Sequence, residues 1–407
     1  MKQGWEIKKL GDICSIQLGK TPYRKNPKFW DKEKLSGNVW LSISDLKHGE
    51  YISESAEQVT DLGAKEIVKI PKGTMLLSFK LTLGRVSFAG TDLYTNEVIA
   101  ALLNLNKKIS KDFLFYYFSL FDWDKAAEGD VKVKGKTLNK QKLKELQIPL
   151  PPLPEQQRIV SILDEAFSVI ERSRNNAEQN LKNAKELFES YLQGVFGGST
   201  GSPTKRDGWE EKTLGEVCEI DPKKSEIKGL ENNNIVSFLP MKDLGVLQNT
   251  IIPIQTRKLS EVIGSYTYFR NNDILLAKVT PCFENGKLGI AKNLKNGIGF
   301  GSSEYIVFRP LNIVISDYIF YILSSTKFRE EGRKLMFGAC GLKRLSKDYV
   351  RTFLVQIPSL NEQQSIVHQL DALRAETQKL EAVYHNKLED LEELKKSVLQ
   401  KAFNGEL

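Results

Sequence analysis

Long apolar runs are missing from this sequence. Nothing approaches the roughly 18 consecutive apolar residues of a membrane-spanning helix. The opening MKQGWEIKKLGD also lacks the apolar core of a secretory leader, so a cytoplasmic location is expected. Cysteine is scarce. The four thiols, Cys14, Cys218, Cys282 and Cys340, are widely separated with no CxxC pair, which excludes a disulfide framework or a zinc site and predicts buried, reduced side chains. Histidine is scarcer still: His48, His368 and His385 lie far apart and are expected to be solvated or at interfaces, because a metal or nucleophile site needs convergent partners.

Catalytic motifs are absent too. LGKTP at 18–22 carries the Gly-Lys-Thr tail of a phosphate loop, but the upstream glycine position is Cys14 and Pro22 follows where a helix must open. GIGFGSS at 297–303 lacks the third glycine of a dinucleotide fingerprint. There is no Asp/Asn-Pro-Pro-aromatic motif of an amino-methyltransferase and no nuclease-like constellation of Asp, Glu and Lys. No catalytic residue, bound cofactor or metal ligand is assigned to this chain.

What the chain does have is alternating charge. Its 407 residues carry a net +8. Residues 1–150 hold 25 basic and 18 acidic side chains, and residues 201–357 hold 23 and 17. The shorter stretches are acidic: 5 basic against 7 acidic over 151–200, and 6 against 9 over 358–407. Two basic modules alternating with two acidic ones point to an anionic partner.

The alternation reflects a duplication. GWEIKKLGDICSI (4–16) and GWEEKTLGEVCEI (208–220) agree at eight of thirteen positions. LPEQQRIVSILDEAF (153–167) returns as LNEQQSIVHQLDALR (360–374), and SYLQGVFGG returns as SVLQKAFNG. MLLSFKLTLGRV aligns with ILLAKVTPCFENGKLGI, which holds an insertion around Pro281–Asn285, and Glu97 aligns with Glu304. Such a repeat implies a pseudo-two-fold architecture.

Each copy ends in a proline-free stretch of 42 residues, 155–196 and 362–403. Apolar residues recur there at gaps of three and four. The first seam comprises Ile159, Leu163, Ala166, Ile170, Ala177, Ala184, Leu187 and Tyr191. The second comprises Ile366, Leu370, Leu373, Leu380, Tyr384, Leu391, Leu394 and Val398, with Thr377 and Lys387 as polar breaks. Two helices of about 63 Å each, paired as an antiparallel coiled coil, satisfy this pattern. Pro154 suits the first turn of one helix, and Asn361 is placed to cap the other. Gly197-Gly198 and Asn404-Gly405 stop them.

Within the modules GTMLLSF, EVIAALLNL, NDILLAKV and SEYIVFRP read as strands, and KDFLFYYFSLF and SDYIFYILSST as short helices. The fold class is α+β, with two similar modules separated by the two long helices. Boundaries are expected at 1–152 for the first module, 153–197 for its helix, 198–207 for a Gly/Ser-rich linker, 208–359 for the second module and 360–407 for the last helix.

Three clusters in the modules supply donors suited to nucleic acid. KTPYRKNPKFW (20–30) brings Lys20, Thr21, Tyr23, Arg24 and Lys25 together with Phe29 and Trp30. The second pairs Lys80 with Lys278, Thr82 with Thr280 and Arg85 with Lys287. The third, DVKVKGKTLNK (130–140), contains Lys134 and pairs Lys136 with Lys343, Thr137 with Arg344 and Lys140 with Lys347. Cations give affinity for phosphate, while guanidinium and amide groups can read base edges. Arg24, Arg85, Asn96, Gln248, Asn285 and Arg344 are therefore the base-reading candidates.

These repeated signatures resemble the specificity subunit of type I restriction–modification systems. The opening GWE–KLG–(I/V)C–I, the PLPPLPEQQRIVSILDEA segment at 149–166 and the LQ–F–G helix end carry the resemblance over the whole chain. It implies two target-recognition domains, each reading half of a split duplex DNA sequence. It further implies an antiparallel helical spacer, two docked modification (methyltransferase) subunits, and restriction subunits that complete the nuclease. S-adenosylmethionine, ATP and magnesium then belong to the partners. The second copy departs in QIPSLNEQQ, two residues shorter than QIPLPPLPEQQ, as expected of domains with different targets. A fused enzyme with degenerate motifs, and a coiled-coil protein whose modules bind RNA, remain as alternatives.

Overall fold

The computed structural model describes residues 4–127, 131–132, 135–136, 138–196, 208–339 and 341–407, with only the backbone at 131–132 and 135–136. The linker expected at 198–207 lies outside the described residues, as do Lys134, Thr137, Cys340 and the side chain of Lys136. Two compact units emerge: Met1–Ala177 with Lys387–Leu407, and Glu178–Asn386. Each unit joins one module to portions of both long helices.

The strands arise where apolar residues run consecutively and are buried on both faces. In the first unit a five-stranded sheet has the order Ser15–Leu18, Ile99–Leu103, Met75–Ser78, Val86–Ala89, Tyr51–Ile52. Successive side chains on a strand point to opposite faces. Accordingly Met75, Leu77, Ala100 and Leu102 join the core around helix Lys111–Leu120, while Leu76, Ile99 and Ala101 join a second core with Val39 and Leu41. A four-stranded sheet, Trp30–Asp31, Glu57–Val59, Val39–Leu41, Tyr94–Thr95, closes the module. The second unit repeats the five-stranded order with Cys218–Ile220, Tyr305–Pro310, Ile274–Ala277, Leu288–Ala291 and Gln248–Ile251. In both units a two-stranded ladder ties the module's opening to its close: Glu6–Lys9 with Gln147–Leu150, and Glu210–Thr213 with Leu354–Ile357.

The long helices are continuous, Leu153–Phe196 with 44 residues and Leu360–Asn404 with 45. Pro154 sits in the first turn, where its missing N–H has no carbonyl to meet. Asn361 is not the cap. The second helix starts one residue earlier, so Ser359 takes that place, its Oγ accepting from the Glu362 N–H at 3.4 Å.

The EQQ signature has a structural cause. Gln156 is buried in the first turn of its helix. Its Oε1 accepts from the Ser110 N–H at 2.9 Å, and its Nε2 donates to the Lys108 and Pro151 carbonyls at 3.2 and 2.8 Å. Gln363 repeats this with the Ile315 N–H at 3.0 Å and the Ile313 and Pro358 carbonyls, both at 2.9 Å. Two turns on, Asp164 accepts from the Tyr116 hydroxyl at 2.5 Å and Asp371 from that of Tyr321 at 2.5 Å. Both tyrosines are held well above their ordinary pKa by burial and by these carboxylates. Each helix is therefore fixed to its own module by the same two polar contacts.

The LQ–F–G ends have the complementary role. Leu399, Ala402 and Phe403, at the close of the second helix, lie in the first unit's core with Ile159 and Leu163. There Phe403 packs on Phe113 and Tyr117 at 5.2 and 5.5 Å between ring centres. Leu192, Phe188 and Phe196, at the close of the first helix, lie in the second unit's core with Val367 and Leu370, and Phe196 meets Tyr318 at 5.3 Å. Within the first unit the segments run antiparallel: Arg158 donates to the Leu407 carbonyl at 2.7 Å, and the Lys395 ammonium lies 5.4 Å from the Phe167 ring.

The seam departs from expectation at its ends. Ile159, Leu163, Ile170, Ala177, Ala184 and Leu370 are buried, but Leu187, Tyr191, Leu380 and Leu394 are exposed. Ile366, Leu373, Tyr384, Leu391 and Val398 are half-buried. After Ala184 the inward-facing positions advance by four, to the half-buried Phe188 and the buried Leu192, because these turns pack on helix Ser316–Ser324 rather than following a strict heptad. Thr377, expected as a polar break, is buried and returns its hydroxyl to the Leu373 and Arg374 carbonyls at 3.0 Å. Lys387, the other break, is exposed.

Replacing Gln156 or Gln363 by Leu leaves three backbone groups without this partner, the Pro151 or Pro358 carbonyl buried and the other two part-buried. Each orphaned group costs about 1–3 kcal/mol, so urea unfolding should show the affected unit losing at least ~2 kcal/mol. Gln157→Leu, at the exposed neighbour in the same motif, should shift stability by no more than about 0.5 kcal/mol. Burial pushes the Cys14 and Cys218 thiols up to about 12, with the Asp273 charge adding to the effect at Cys218. At pH 8 both stay protonated and enclosed. Peptide mapping after iodoacetamide treatment of the folded protein should find them unmodified, and the half-buried Cys282 alkylated first of these three.

Candidate nucleic-acid interface

In the first unit the sequence-nominated donors gather where strand Met75–Ser78 ends and strand Ile99–Leu103 begins. Strand pairing brings Ser78 opposite Ile99, and Lys80 and Glu97 lie just beyond that pair. The Thr21 hydroxyl donates to the Glu97 carboxylate at 2.5 Å, and the Lys80 ammonium donates to the Glu97 carbonyl at 3.4 Å. Partial burial raises the Glu97 pKa, but the Thr21 bond, its own N–H and the Lys80 and Arg24 charges outweigh it and hold the carboxyl below its usual range. Lys20 donates to the Glu66 carbonyl at 3.2 Å.

Arg24 is the most ordered donor of this group. Its guanidinium lies 4.0 Å from the centre of the Trp30 ring and 4.7 Å from that of Trp40, and Nη1 pairs with Glu57 at 2.6 Å. The two indoles stand at 89° to one another, so the guanidinium sits in the corner between them, held there by cation–π contact and by Glu57. Asn96 is committed locally, its Oδ1 accepting from the Val98 N–H at 3.2 Å, and Arg85 reaches the Leu46 carbonyl at 3.5 Å. Tyr23, Lys25, Thr82 and Lys140 are exposed. Among the described residues their side chains have no hydrogen-bond or ion-pair partner.

The second unit forms a denser charge cluster. Arg344 meets Glu304 through Nε and Nη2, the shortest contact being 2.7 Å, and the Lys278 ammonium stands 4.0 Å from the same carboxylate. Lys278 also donates to the Ser303 carbonyl at 2.7 Å, and Lys347 pairs closely with Asp221. The Arg344 bond is the main cause holding Glu304 below the usual carboxylate range; burial opposes it and the Lys278 charge assists. Burial lowers Lys278, with Glu304 opposing. Thr280 bonds Glu284 at 3.0 Å, and Lys287 donates to the Met241 carbonyl at 2.8 Å. Gln248, Asn285 and Lys343 are exposed. Gln248 opens its strand and Asn285 lies on the neighbouring loop, the two tied by the Leu247 N–H to the Gly286 carbonyl at 2.8 Å.

Strand register corrects two pairings between the copies, Lys80 with Lys278 and Glu97 with Glu304. The Phe79 N–H donates to the Val98 carbonyl, and the Lys278 N–H to the Glu304 carbonyl. Lys278 thus occupies the place of Phe79 rather than Lys80, and Glu304 that of Val98 rather than Glu97. The ammonium groups still reach equivalent carbonyls, Glu97 and Ser303. The pairings of Arg85 with Lys287 and of the third cluster agree with the backbone, whereas Thr82 and Thr280 fall on either side of the insertion and share no ladder position. The Ser78 and Ala277 N–H groups donate to the Arg85 and Lys287 carbonyls respectively. Leu138 and Leu345 donate to the Phe79 and Lys278 carbonyls, which aligns Lys136, Thr137 and Lys140 with Lys343, Arg344 and Lys347. The insertion is real: Leu77 pairs with Val86, nine positions on, whereas Leu276 pairs with Leu288, twelve on.

Sequence reasoning nominated the cations and missed their counter-ions. Glu57, Glu97, Asp221 and Glu304 hold several of the nominated donors through contacts distant in sequence. The exposed Arg24–Glu57 pair is worth little by itself, so a phosphate can exchange for that carboxylate at small cost.

The family profile described as "Type I restriction modification DNA specificity domain" matches residues 2–182 and again 206–390. The chain is 35% identical to the EcoAI specificity subunit of Escherichia coli over 43% of its own length, and spans 29% of that protein. It spans 27% of the EcoEI specificity subunit of Escherichia coli, at 35% identity over 40% of this chain. The MjaVIII specificity subunit of Methanocaldococcus jannaschii is similar over all of this chain and 93% of its own, at 24% identity. In fold, the chain superposes on a subunit from a type I restriction–modification system with a TM-score of 0.75 and 19% identity, covering all of this chain and 99% of that one. It also superposes on the HsdS subunit of Thermoanaerobacter tengcongensis with a TM-score of 0.61 and 20% identity, over 100% and 98%. With two copies of the family's domain spanning most of its length, the chain belongs to the type I restriction–modification DNA specificity family.

Proposed function

We propose that this chain is the non-catalytic DNA-reading subunit of a type I restriction–modification complex. Each unit reads one half of a two-part duplex target. The long helices set the spacing between the halves and seat two modification (methyltransferase) subunits, to which restriction subunits add. S-adenosylmethionine, ATP and magnesium act on those partners, in the cytoplasm.

One observation carries this reading. The joints of the two copies are the same to the atom type, Gln156 with Gln363 and Asp164 with Asp371, while the loops they position differ in length and side chain. A common frame bearing two different donor surfaces is what recognition of two unlike half-sites requires. Loop cations supply salt-dependent attraction to phosphate, and a few side chains per unit meet base edges in the major groove.

Purified alone with S-adenosylmethionine, ATP and magnesium, the full chain should neither methylate nor cut DNA. In complex with its modification subunits it should bind a duplex in preference to an RNA competitor, with affinity falling steeply with salt. Lys25→Ala and Lys140→Ala should each reduce the slope of log K against log[salt] by about 0.9; an unchanged slope for both would remove these residues from the phosphate-contacting set. Deleting one heptad from each long helix should change the unspecified gap between half-sites selected from a random duplex pool. An unchanged gap would mean that the helices do not set it.

A further inference from the structure

After helix Thr326–Lys334 the chain of the second unit turns back on itself. The Phe337 N–H donates to the Arg344 carbonyl at 3.1 Å, and the Arg344 N–H returns to the Phe337 carbonyl at 2.8 Å, closing a hairpin. Gly338 (φ 129°) and Gly341 (φ 85°) take conformations that side chains disfavour, and a Cβ on Gly338 would stand 2.7 Å from the Leu342 carbonyl. The turn is thus specified by the sequence. Its base is held twice. Lys343 O accepts from the Thr280 N–H at 2.9 Å, and the Arg344 side chain is bound through Nε and Nη2 to Glu304.

Arg344 therefore uses, against Glu304, one of the paired N–H edges with which a guanidinium grips guanine. What the hairpin leaves in water is Phe337, 63% exposed, Leu342, 60% exposed, and Lys343. Two apolar side chains exposed on one hairpin beside fixed cations suit a partner that is both anionic and apolar in patches. Lys343, with Lys278 and Lys347 near the base, selects a polyanion, and two apolar side chains suit base edges such as the thymine methyl rather than phosphate. The first unit has a hairpin at the equivalent place, Val131–Lys132 with Gly135–Lys136.

We infer that the Phe337–Arg344 hairpin is the base-reading element of the second unit: Phe337 and Leu342 contact base edges of duplex DNA, Lys343 contacts phosphate, and Arg344 with Glu304 anchors the hairpin instead of reading. Glu304 is on this account a positioning residue. The inference rests on the proposed reading of the chain as a duplex reader.

The test selects duplexes from a randomised pool with the full chain in complex with its modification subunits. Phe337→Ser and Leu342→Ser, at exposed positions that folding does not require, should each lower the preference at one or two positions of a single half-site by about ten-fold, with the salt slope unchanged. Lys343→Ala should weaken binding to all sequences alike and reduce the slope by about one. Glu304→Gln should blur the same half-site positions as Phe337→Ser while leaving the other half-site intact. If the unmodified chain selects a two-part duplex but Phe337→Ser and Leu342→Ser keep both half-site preferences, the hairpin assignment is overturned and the DNA-reading proposal stands. If the unmodified chain selects no duplex sequence, both fall.

Discussion

A single buried amide organises each half of this molecule. Gln156 and Gln363 each satisfy one N–H and two carbonyls of their own module from the first turn of a long helix. A helix start is otherwise a poor place to attach a rigid body, because its N–H groups lack helical partners and its side chains face solvent. Burying a fully satisfied amide there is favourable only in one geometry, since any displacement strands three polar groups at once. The hydroxyl–carboxylate contacts Tyr116–Asp164 and Tyr321–Asp371, further along, fix the rotation of the helix about its axis.

The far ends of the helices complete the cores by apolar contact. Leu399 fills the first unit's core and Leu192 the second's, each contributing about 1.5–3 kcal/mol on full burial, while the half-buried Phe403 and Phe196 pack against these cores. Each core is thus built from its own module, the start of the helix that follows it, and the end of the helix from the other copy. The duplicated signatures EQQ–IV–LD and LQ–F–G are the polar and apolar fastenings of one design. Loops outside these fastenings were free to diverge, as the three-residue difference between the Val86 and Leu288 turns illustrates.

Much of this was legible in the sequence because its signals are periodic. Proline-free heptads gave both helices to within two residues at either end, and consecutive apolar runs gave the central strands. The rest depends on contacts that have no local pattern. A glutamine in a helix reads as solvated surface, so the burial of Gln156 is invisible until Lys108 and Ser110 are brought against it. The seam drifts from Leu187 and Tyr191 to Phe188 and Leu192 because a neighbouring helix, not the heptad, decides which face is covered there. Aligning Glu97 with Glu304 matched two identical letters, yet a shift of one residue in a strand exchanges its faces, and only the ladder partners reveal it. The cations singled out from the sequence meet carboxylates that come from distant loops. Arg344 is an example: its partner Glu304 lies 40 positions away in the sequence.

The central claim is that one frame, written twice, presents two different surfaces to a split duplex. Mapping of methylated bases across the genome of a host carrying this chain and its modification subunits, compared with the same host lacking the chain, tests it most directly. The account predicts one motif that disappears with the chain and consists of two unlike half-sites around a fixed unspecified gap. A continuous motif, or a methylation pattern indifferent to removal of the chain, would contradict it.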